Sequence, residues 1–524
     1  MEILDTTLRD GAQAEGVSFS VNDKFQILES LVSFGVKYIE AGNPGSNPKD
    51  REFFARFAEY RPAMGQSVLT AFGSTKRKGI PVEDDPGLKD LLSAGTPTIV
   101  VFGKAWDVEV KENLRCSLEE NLAMIRESVS WLCAQGREVI YDAEHYFEAC
   151  RSNSEYAIKS LKAAQQGGAV VVCLCDTNGA TMPEEIQSRT REAFEALPGI
   201  KIGIHCHNDS GLAVANTLAA VKAGASHVQG TFIGIGERCG NANLASIIPN
   251  LQLKYGFECV PADRMYLLTP TARKLAEIAN ISMLPGEPYV GTSAFTHKAG
   301  MHVDGVKKNP KTFEHVEPGS VGNMRRFVLS EISGRSAVLD IIRKIRPDMD
   351  KDAPEVSKIL HKLKEMEHQG YHFEGAEASQ ELLVCKELGL YKPFFHLEKM
   401  RISSEQPRIG KLSANTYIKI QVGGIDEVTA AEGEGPVNAM DLALKKAMEV
   451  FYPELNKVRL TDFKVRVLNA AATASQVRTL IESTDGQVTW RTIGVSTDIL
   501  EASWLALVDS LEYKLMRKQL GWEE

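Results

Sequence analysis

Over about 250 residues, the usual size of a closed α/β barrel, the chain repeats one rhythm: a short apolar run ends in a polar residue or glycine, and an amphipathic stretch follows. The runs predict strands near Glu2–Thr6, Val36–Ala41, Ser67–Phe72, Thr98–Gly103, Glu138–Ala143, Ala169–Asp176, Lys201–His207 and His227–Phe232. Each is short and rich in Val, Ile or aromatics, as strands buried on both faces should be. Helical patterns lie between them at Asn22–Phe34, Leu118–Gln135, Glu155–Gln166 and Gly211–Ala223. The alternation predicts a (β/α)8 TIM barrel over residues 1–256. An open doubly wound sheet is the alternative, weakened because no G-x-G-x-x-G follows the first strand.

Enzymes with this barrel place their chemistry at the C-terminal ends of the strands. Those ends here carry Arg9, Asp10, Glu40, Glu144, Asp176, Thr177, His205, His207 and the loop GIGERCGN. Few of these would be chosen to stabilise a core, so the clustering points to catalysis. The sharpest local signal is H-C-H. Residues i and i+2 of a strand share a face about 6.5–7 Å apart, close enough for two imidazoles to converge on one ion. By itself H-x-H also describes structural or surface histidines. At a strand end followed by Asn208 and Asp209 it reads as a metal pair, with Asp10 eligible as a carboxylate ligand and Asn241 able to add an amide oxygen. Such a mixed nitrogen and oxygen set suits Mg²⁺, Mn²⁺ or Zn²⁺. Arg9 reads either as an ion-pair partner or as the group that holds a developing oxyanion. Glu144 is either a general base or a partner that orients a ligand, and Glu40 is a candidate substrate contact. Gly234, Gly236, Glu237 and Arg238 form a loop open to a bulky ligand such as a nucleotide thioester, though glycine-rich loops are mostly turns.

From about residue 257 to 389 the pattern changes to helices and loops punctuated by Pro261, Pro270, Pro285, Pro288, Pro310 and Pro318. Residues 390–524 contain a repeat: NTYIKIQV with EVTAAEGEGPVNAMDLALKKAM, then DFKVRVLN with VTWRTIGVSTDILEASWLALVDSLEYKL. This predicts a duplicated strand–strand–helix α+β domain, either ligand-sensing and regulatory or a dimer scaffold. The net charge of −9 argues against general affinity for nucleic acid or anionic membranes. No apolar run is long enough for a transmembrane helix. The nine scattered cysteines and a start without a signal-peptide pattern lead us to expect a cytoplasmic location. Cys173 and Cys175 read as buried small hydrophobes in preference to thiolate ligands.

The segments LDTTLRDGAQAEG, IEAGNPGSNPKD, YDAEHYFEA, LCDTNGAT, HCHNDSGLAVANTLAAVKAGA and GIGERCGNANL resemble the 2-isopropylmalate, homocitrate and citramalate synthase family over essentially the whole chain. GSNPKD, GSTKRKG, VFGKAWD and YDAEH are most similar to its citramalate-forming branch. The resemblance implies condensation of acetyl-CoA with a 2-oxo acid, pyruvate in that branch, with thioester hydrolysis, in isoleucine biosynthesis. It matches Asp10, His205, His207 and Asn241 to metal ligands and Arg9 to the oxyanion-stabilising arginine. It matches Glu144 and Thr177 to residues that contact the keto acid or help move a proton. It also places His302 and Asp304, in AGMHVDG, on a segment that reaches into a partner subunit's site, which implies a homodimer, with isoleucine as the effector to test. Alternatives are a 2-isopropylmalate synthase, a lyase on the same barrel, and, least favoured, a non-catalytic amino-acid sensor. Two departures stand out: Asn43 where relatives often carry Trp, and Phe313 where they often carry Tyr.

Overall fold

The computed structural model describes residues 1–60, 63–298, 300–327, 335–373, 375–405, 413–468 and 475–521. It divides into two compact units, one of residues 1–296 with 314–326 and one of 297–313 with 327–524.

The first unit is built on a closed parallel barrel of eight strands in sequence order. They are β1 Glu2–Asp5, β2 Tyr38–Glu40, β3 Val68–Ser74, β4 Thr98–Lys104, β5 Glu138–Glu144, β6 Val171–Asp176, β7 Lys201–Cys206 and β8 His227–Gly230. The barrel closes where β1 pairs with β8, in register from Glu2 with His227 to Asp5 with Gly230. The doubly wound alternative is thereby excluded, and each expected strand is present within a few residues.

Alternate residues of a strand share a face. Inside the barrel Leu4, Tyr38, Val100, Ile140 and Val171 pack as an apolar plug. Two residues further along those strands the same face carries Glu40, Phe102, Asp142 and Cys173. Four residues further it carries Glu144 and Cys175. The interior therefore grades from hydrocarbon at the bottom to ionisable groups at the top.

Around the barrel, helix α1 (Val21–Phe34) begins with a capping box between Ser20 and Asp23 and ends at Gly35, with φ 99°. Helix α2 (Pro48–Tyr60) follows β2. Lys24 of α1 and Asp50 of α2 are 3% and 4% exposed, respectively, and pair with each other. Lys24 Nζ also donates to Ala41 O at 2.7 Å, and Asp50 Oδ2 accepts from Asn43 N at 2.8 Å. One buried ion pair thus fixes α1, α2 and the loop leaving β2. After β5, helix Tyr146–Gly167 starts well before the expected Glu155, because it is two helical pieces merged across a kink at Asn153. Asn153 Oδ1 accepts from Tyr156 N at 3.1 Å and caps the second piece, the only one whose periodicity is plain in the sequence.

In the second unit, helices Arg335–Ile345, Pro354–His368 and Glu377–Glu387 enclose a core that includes Val338, Ile342, Val356, Ile359 and Val384. Two similar motifs follow. Strands His396–Glu405, Ser413–Val422 and Ile425–Gly433 form an antiparallel sheet followed by helix Pro436–Glu449. Strands Arg459–Val467, Val477–Thr484 and Thr489–Ser496 repeat it before helix Ile499–Gln519. Each repeat is three strands and a helix, which corrects the expected two. Gly423 and Gly424, with φ 56° and 87°, make the tight hairpin between Val422 and Ile425. In the second repeat Asp485 closes the corresponding turn, accepting from Gln487 N, Val488 N and Lys514 Nζ at 2.8–2.9 Å. Against burial's upward pull, Lys514 and those two N–H groups bring its carboxyl down to about 2. A depressed carboxylate contributes stability above its ordinary value of 3.8 that is lost as pH falls through about 2. Thermal unfolding of the second unit should therefore shift down between those pH values, and Asp485→Asn should flatten the shift. An unchanged pH profile in the variant would refute the assignment.

Candidate active site and metal centre

The polar end of the barrel opens into a cavity of about 220 Å³ lined by Arg9, Asp10, Gln13, Phe72, Phe102, Asp142, Glu144, Cys175, Thr177, His205, His207, Glu237 and Arg238. β1 ends in a tight turn in which the N–H groups of Arg9, Asp10 and Gly11 all point back to Thr6 O, at 2.8–3.2 Å. The turn delivers Asp10 to the floor of the cavity. β7 brings His205 on its inner face, and His207 follows just beyond its end. One ligand-type atom from each of Asp10, His205 and His207 lies within 4.8 Å of the others, and all three side chains are buried.

Asn241 completes the group. Its Nδ2 donates to Asp10 Oδ2 at 3.0 Å and lies 3.3 Å from His205 Nε2. Its Oδ1 is buried without a partner, as is His207 Nδ1. Buried orphan atoms of this kind are rare. Amide ends are assigned from their hydrogen-bond network, so Asn241 is equally able to present its oxygen to a cation. Arg9 and His205 hold the Asp10 carboxyl well below its usual range against the opposing cost of burial. Burial and the neighbouring His205 push His207 down to about 4, towards the neutral imidazole that binds metals. The donor set, two imidazoles, a carboxylate and an amide oxygen, fits a divalent cation.

Arg9 is clamped beside this group. Its Nε donates to Glu40 Oε1 at 2.6 Å, its Nη1 lies 3.5 Å from Asp10 Oδ2, and its guanidinium stacks 3.8 Å above the Phe72 ring. Glu40 is fully buried, and burial pushes its carboxyl up to about 7 against the pull of Arg9. Glu40, expected as a substrate contact, does not line this cavity; its carboxylate accepts from Arg9 Nε and orients that side chain. Glu144 does reach the cavity, where Lys104 Nζ meets its Oε2 at 2.6 Å. Thr177 also lines it, with Oγ1 accepting from His145 N at 2.8 Å. Asp176 does not line it, being fully buried and held by Thr181 Oγ1 at 2.7 Å.

The GIGERCGN loop divides in two. Glu237 and Arg238 face the cavity, and Arg238 bonds Asp209 Oδ1 at 2.8 Å and Thr177 O at 2.7 Å, joining the loops after β6, β7 and β8. Gly234 and Gly236 stand behind the wall. A Cβ on Gly236 would lie 1.8 Å from Asn241 Oδ1, and one on Gly240 2.0 Å from Gly234 O. These glycines let the loop close on Asn241.

Sequence reasoning missed the apolar wall. Phe72 and Phe102 stack at 5.2 Å and, with Cys175, line one side of the cavity. Their position at the ends of β3 and β4 was the available signal. Asp142, Cys173 and Cys175 form a second close group. A hydrogen bond from Cys173 pulls the Cys175 thiol down, but burial prevails and it is pushed up to about 11. Burial raises Cys173 further, so both favour the thiol, in line with the reading as small hydrophobes.

His302 and Asp304 lie on the helix Gly300–Lys308 of the second unit. His302 stacks on Phe313 with ring centroids 4.2 Å apart, and Asp304 pairs with Lys308 at 2.7 Å. Asn43, the other departure, lies at the Lys24–Asp50 staple and accepts from Gly45 N at 3.0 Å.

Residues 1–282 match the HMGL-like family, residues 289–371 the homocitrate synthase post-HMGL domain-like family, and residues 374–515 the LeuA allosteric (dimerisation) domain. An (R)-citramalate synthase of Aquifex aeolicus is 49% identical over 99% of this chain and 98% of its own. One of Geobacter sulfurreducens is 48% identical with the same coverage. A 2-isopropylmalate synthase of Pyrococcus furiosus is 32% identical over 98% of each chain.

Proposed function

The chain belongs to the HMGL-like family, among its (R)-citramalate synthases, and we propose that the barrel-end cavity condenses acetyl-CoA with pyruvate to give (R)-citramalate and CoA. It is an acyltransferase-type condensing enzyme. The observation that carries the reading is the convergence of Asp10, His205, His207, Asn241 and the clamped Arg9 on one cavity of about 220 Å³. Asp10, His205, His207 and Asn241 would hold a divalent ion, Mn²⁺, Mg²⁺ or Zn²⁺. When bound, it would supply Lewis-acid polarisation of the keto carbonyl.

The remaining work falls to the chain's own side chains. Arg9, fixed by Glu40 and Phe72, presents its guanidinium to the negative charge that develops on the keto oxygen. Glu144 and His302, the latter from the partner subunit of a homodimer and accompanied by Asp304, are the groups that move the proton of the acetyl methyl. Thr177 positions the keto acid. Bond formation between the acetyl methyl and the keto carbon, followed by addition of water to the thioester, releases CoA and leaves two carboxylates on the product. Glu237 and Arg238 flank the entry of the thioester.

Phe72 and Phe102 give the cavity an apolar wall, suited to the methyl group of pyruvate. Thiol release measured with a panel of 2-oxo acids tests this: pyruvate should be used far faster than 2-oxoisovalerate. The reverse order would transfer the chain to isopropylmalate synthesis, and cleavage of a hydroxyacyl-CoA without condensation would make it a lyase. Placement in isoleucine biosynthesis, in the cytoplasm, makes isoleucine the effector to add to the same assay, with residues 390–524 as its receptor domain. No helix among the described residues is long and apolar enough to cross a membrane.

A further inference from the structure

Two buried polar side chains inside the barrel lie outside this chemistry. Gln229 of β8 is 0% exposed and Asp142 of β5 is 4% exposed. Each interrupts a strand whose neighbours are mostly apolar. Gln229 Oε1 lies 3.0 Å from His205 Nδ1, and Gln229 Nε2 donates to Asp142 Oδ1 at 2.8 Å. A primary amide donates only from nitrogen and accepts only at oxygen. With Asp142 Oδ1 accepting the Nε2–H, Oε1 faces His205 and has only an acceptor to offer. His205 must then carry a proton on Nδ1, which leaves Nε2, 3.3 Å from both Asp10 Oδ2 and Asn241 Nδ2, as the nitrogen able to take a cation.

We propose that Asp142 and Gln229 are positioning residues that lock His205 in the Nδ1–H tautomer, with Nε2 aimed at the metal centre. The proposal rests on the reading of Asp10, His205 and His207 as that centre. Nδ1 of His207 has no such partner, so the device acts on one imidazole of the two. Groups that hold the far nitrogen of a metal-bound histidine fix ring orientation and raise its basicity. Asp142 does this at one remove, by fixing which end of the Gln229 amide faces His205. Reversal of the amide would turn a donor towards Nδ1 and force the proton onto Nε2, blocking it as a ligand.

The test is equilibrium Mn²⁺ binding to the metal-stripped full-length protein, read as free Mn²⁺ by electron paramagnetic resonance, with unfolding temperature as a control. Wild type should bind, and Asp10→Ala should not. Gln229→Met should raise Kd by about 10- to 100-fold. Gln229→Glu should also raise it, by setting two carboxylates face to face. Adding Asp142→Asn to Gln229→Glu exchanges the amide and the carboxylate: the introduced amide donates, and the introduced carboxylate accepts from His205 Nδ1–H. That double variant should return towards the wild-type Kd, an outcome that a purely space-filling role for these side chains does not give. Wild-type affinity in a folded Gln229→Met, or a double variant that binds no tighter than Gln229→Glu alone, overturns the proposal. Should Gln229→Met not fold, the comparison of the single and double exchange variants still decides. A wild type that binds no Mn²⁺ would instead overturn the metal-centre reading beneath it.

Discussion

Asp10→Ala should reduce CoA release from acetyl-CoA and pyruvate on the order of 10³-fold or more while leaving the barrel folded. The side chain sits at the middle of the site, 3.0 Å from Asn241 Nδ2, 3.3 Å from His205 Nε2 and 3.5 Å from Arg9 Nη1. Its removal takes away the carboxylate of the metal set and one of the two anions that hold Arg9. A Lewis acid supplies several kcal/mol of charge stabilisation in carbonyl chemistry, and each 1.4 kcal/mol is about tenfold in rate. Asp10→Asn separates the two contributions, since it retains a polar contact to Arg9 but loses the charge that attracts the cation. Turnover of Asp10→Ala within tenfold of wild type, with pyruvate saturating, would remove Asp10 from the mechanism. Intact turnover would equally rule out the metal centre as the seat of catalysis.

The second large effect is on stability. Asp50→Ala leaves the Lys24 ammonium 3% exposed with only the Ala41 carbonyl as a described hydrogen-bond acceptor. Breaking one side of a buried pair costs about 3–5 kcal/mol, because the remaining charge is uncompensated. Burial already depresses the Lys24 ammonium from its ordinary value, and loss of its partner would deepen that depression. Denaturant unfolding should show the full deficit in Asp50→Ala. Pairing Asp50→Leu with Lys24→Met should recover most of it, since similarly sized apolar groups replace a buried pair at little cost. A single variant as stable as wild type would show that the staple contributes nothing. Because Asp50 also holds Asn43 N, the loop leaving β2 should loosen in the same variant.

The barrel was legible because its strands are buried on both faces, so that Val, Ile and Leu run almost unbroken, as in Ile99–Val101 of β4. The polar ends of those runs, Asp10, His205, His207, Glu144 and Thr177, were legible for the same reason: a charged residue ending an apolar run is conspicuous. What escaped was polarity within the runs and alternation weakened by polar burial. Asp142 and Gln229 look like interruptions in one dimension and become a hydrogen-bonded pair only once the barrel brings β5 and β8 to a common interior. Strand Val477–Thr484 was missed because its inward positions are Thr479, Ile481 and Ser483. Two of these are hydroxyls that bond Ser503 and Ser510 on the covering helix, so the apolar alternation that announces a strand is absent. In strand His396–Glu405, the sequence HLEKMRISSE offers no regular alternation of apolar residues. Glu40 was legible as the end of a strand, but nothing in one dimension distinguishes a residue on the cavity wall from one beneath it.

The first and eighth strands close the barrel: β1 pairs with β8, and Asn241 donates a hydrogen bond to Asp10 across 231 residues of sequence. The candidate ion-binding group therefore straddles the seam between the first and last strands of the barrel. A chain emerging from the ribosome has no such group until its eighth strand has been synthesised and docked against the first. An ion held there would need the closed barrel and would tie its first strand to the segment that follows its last.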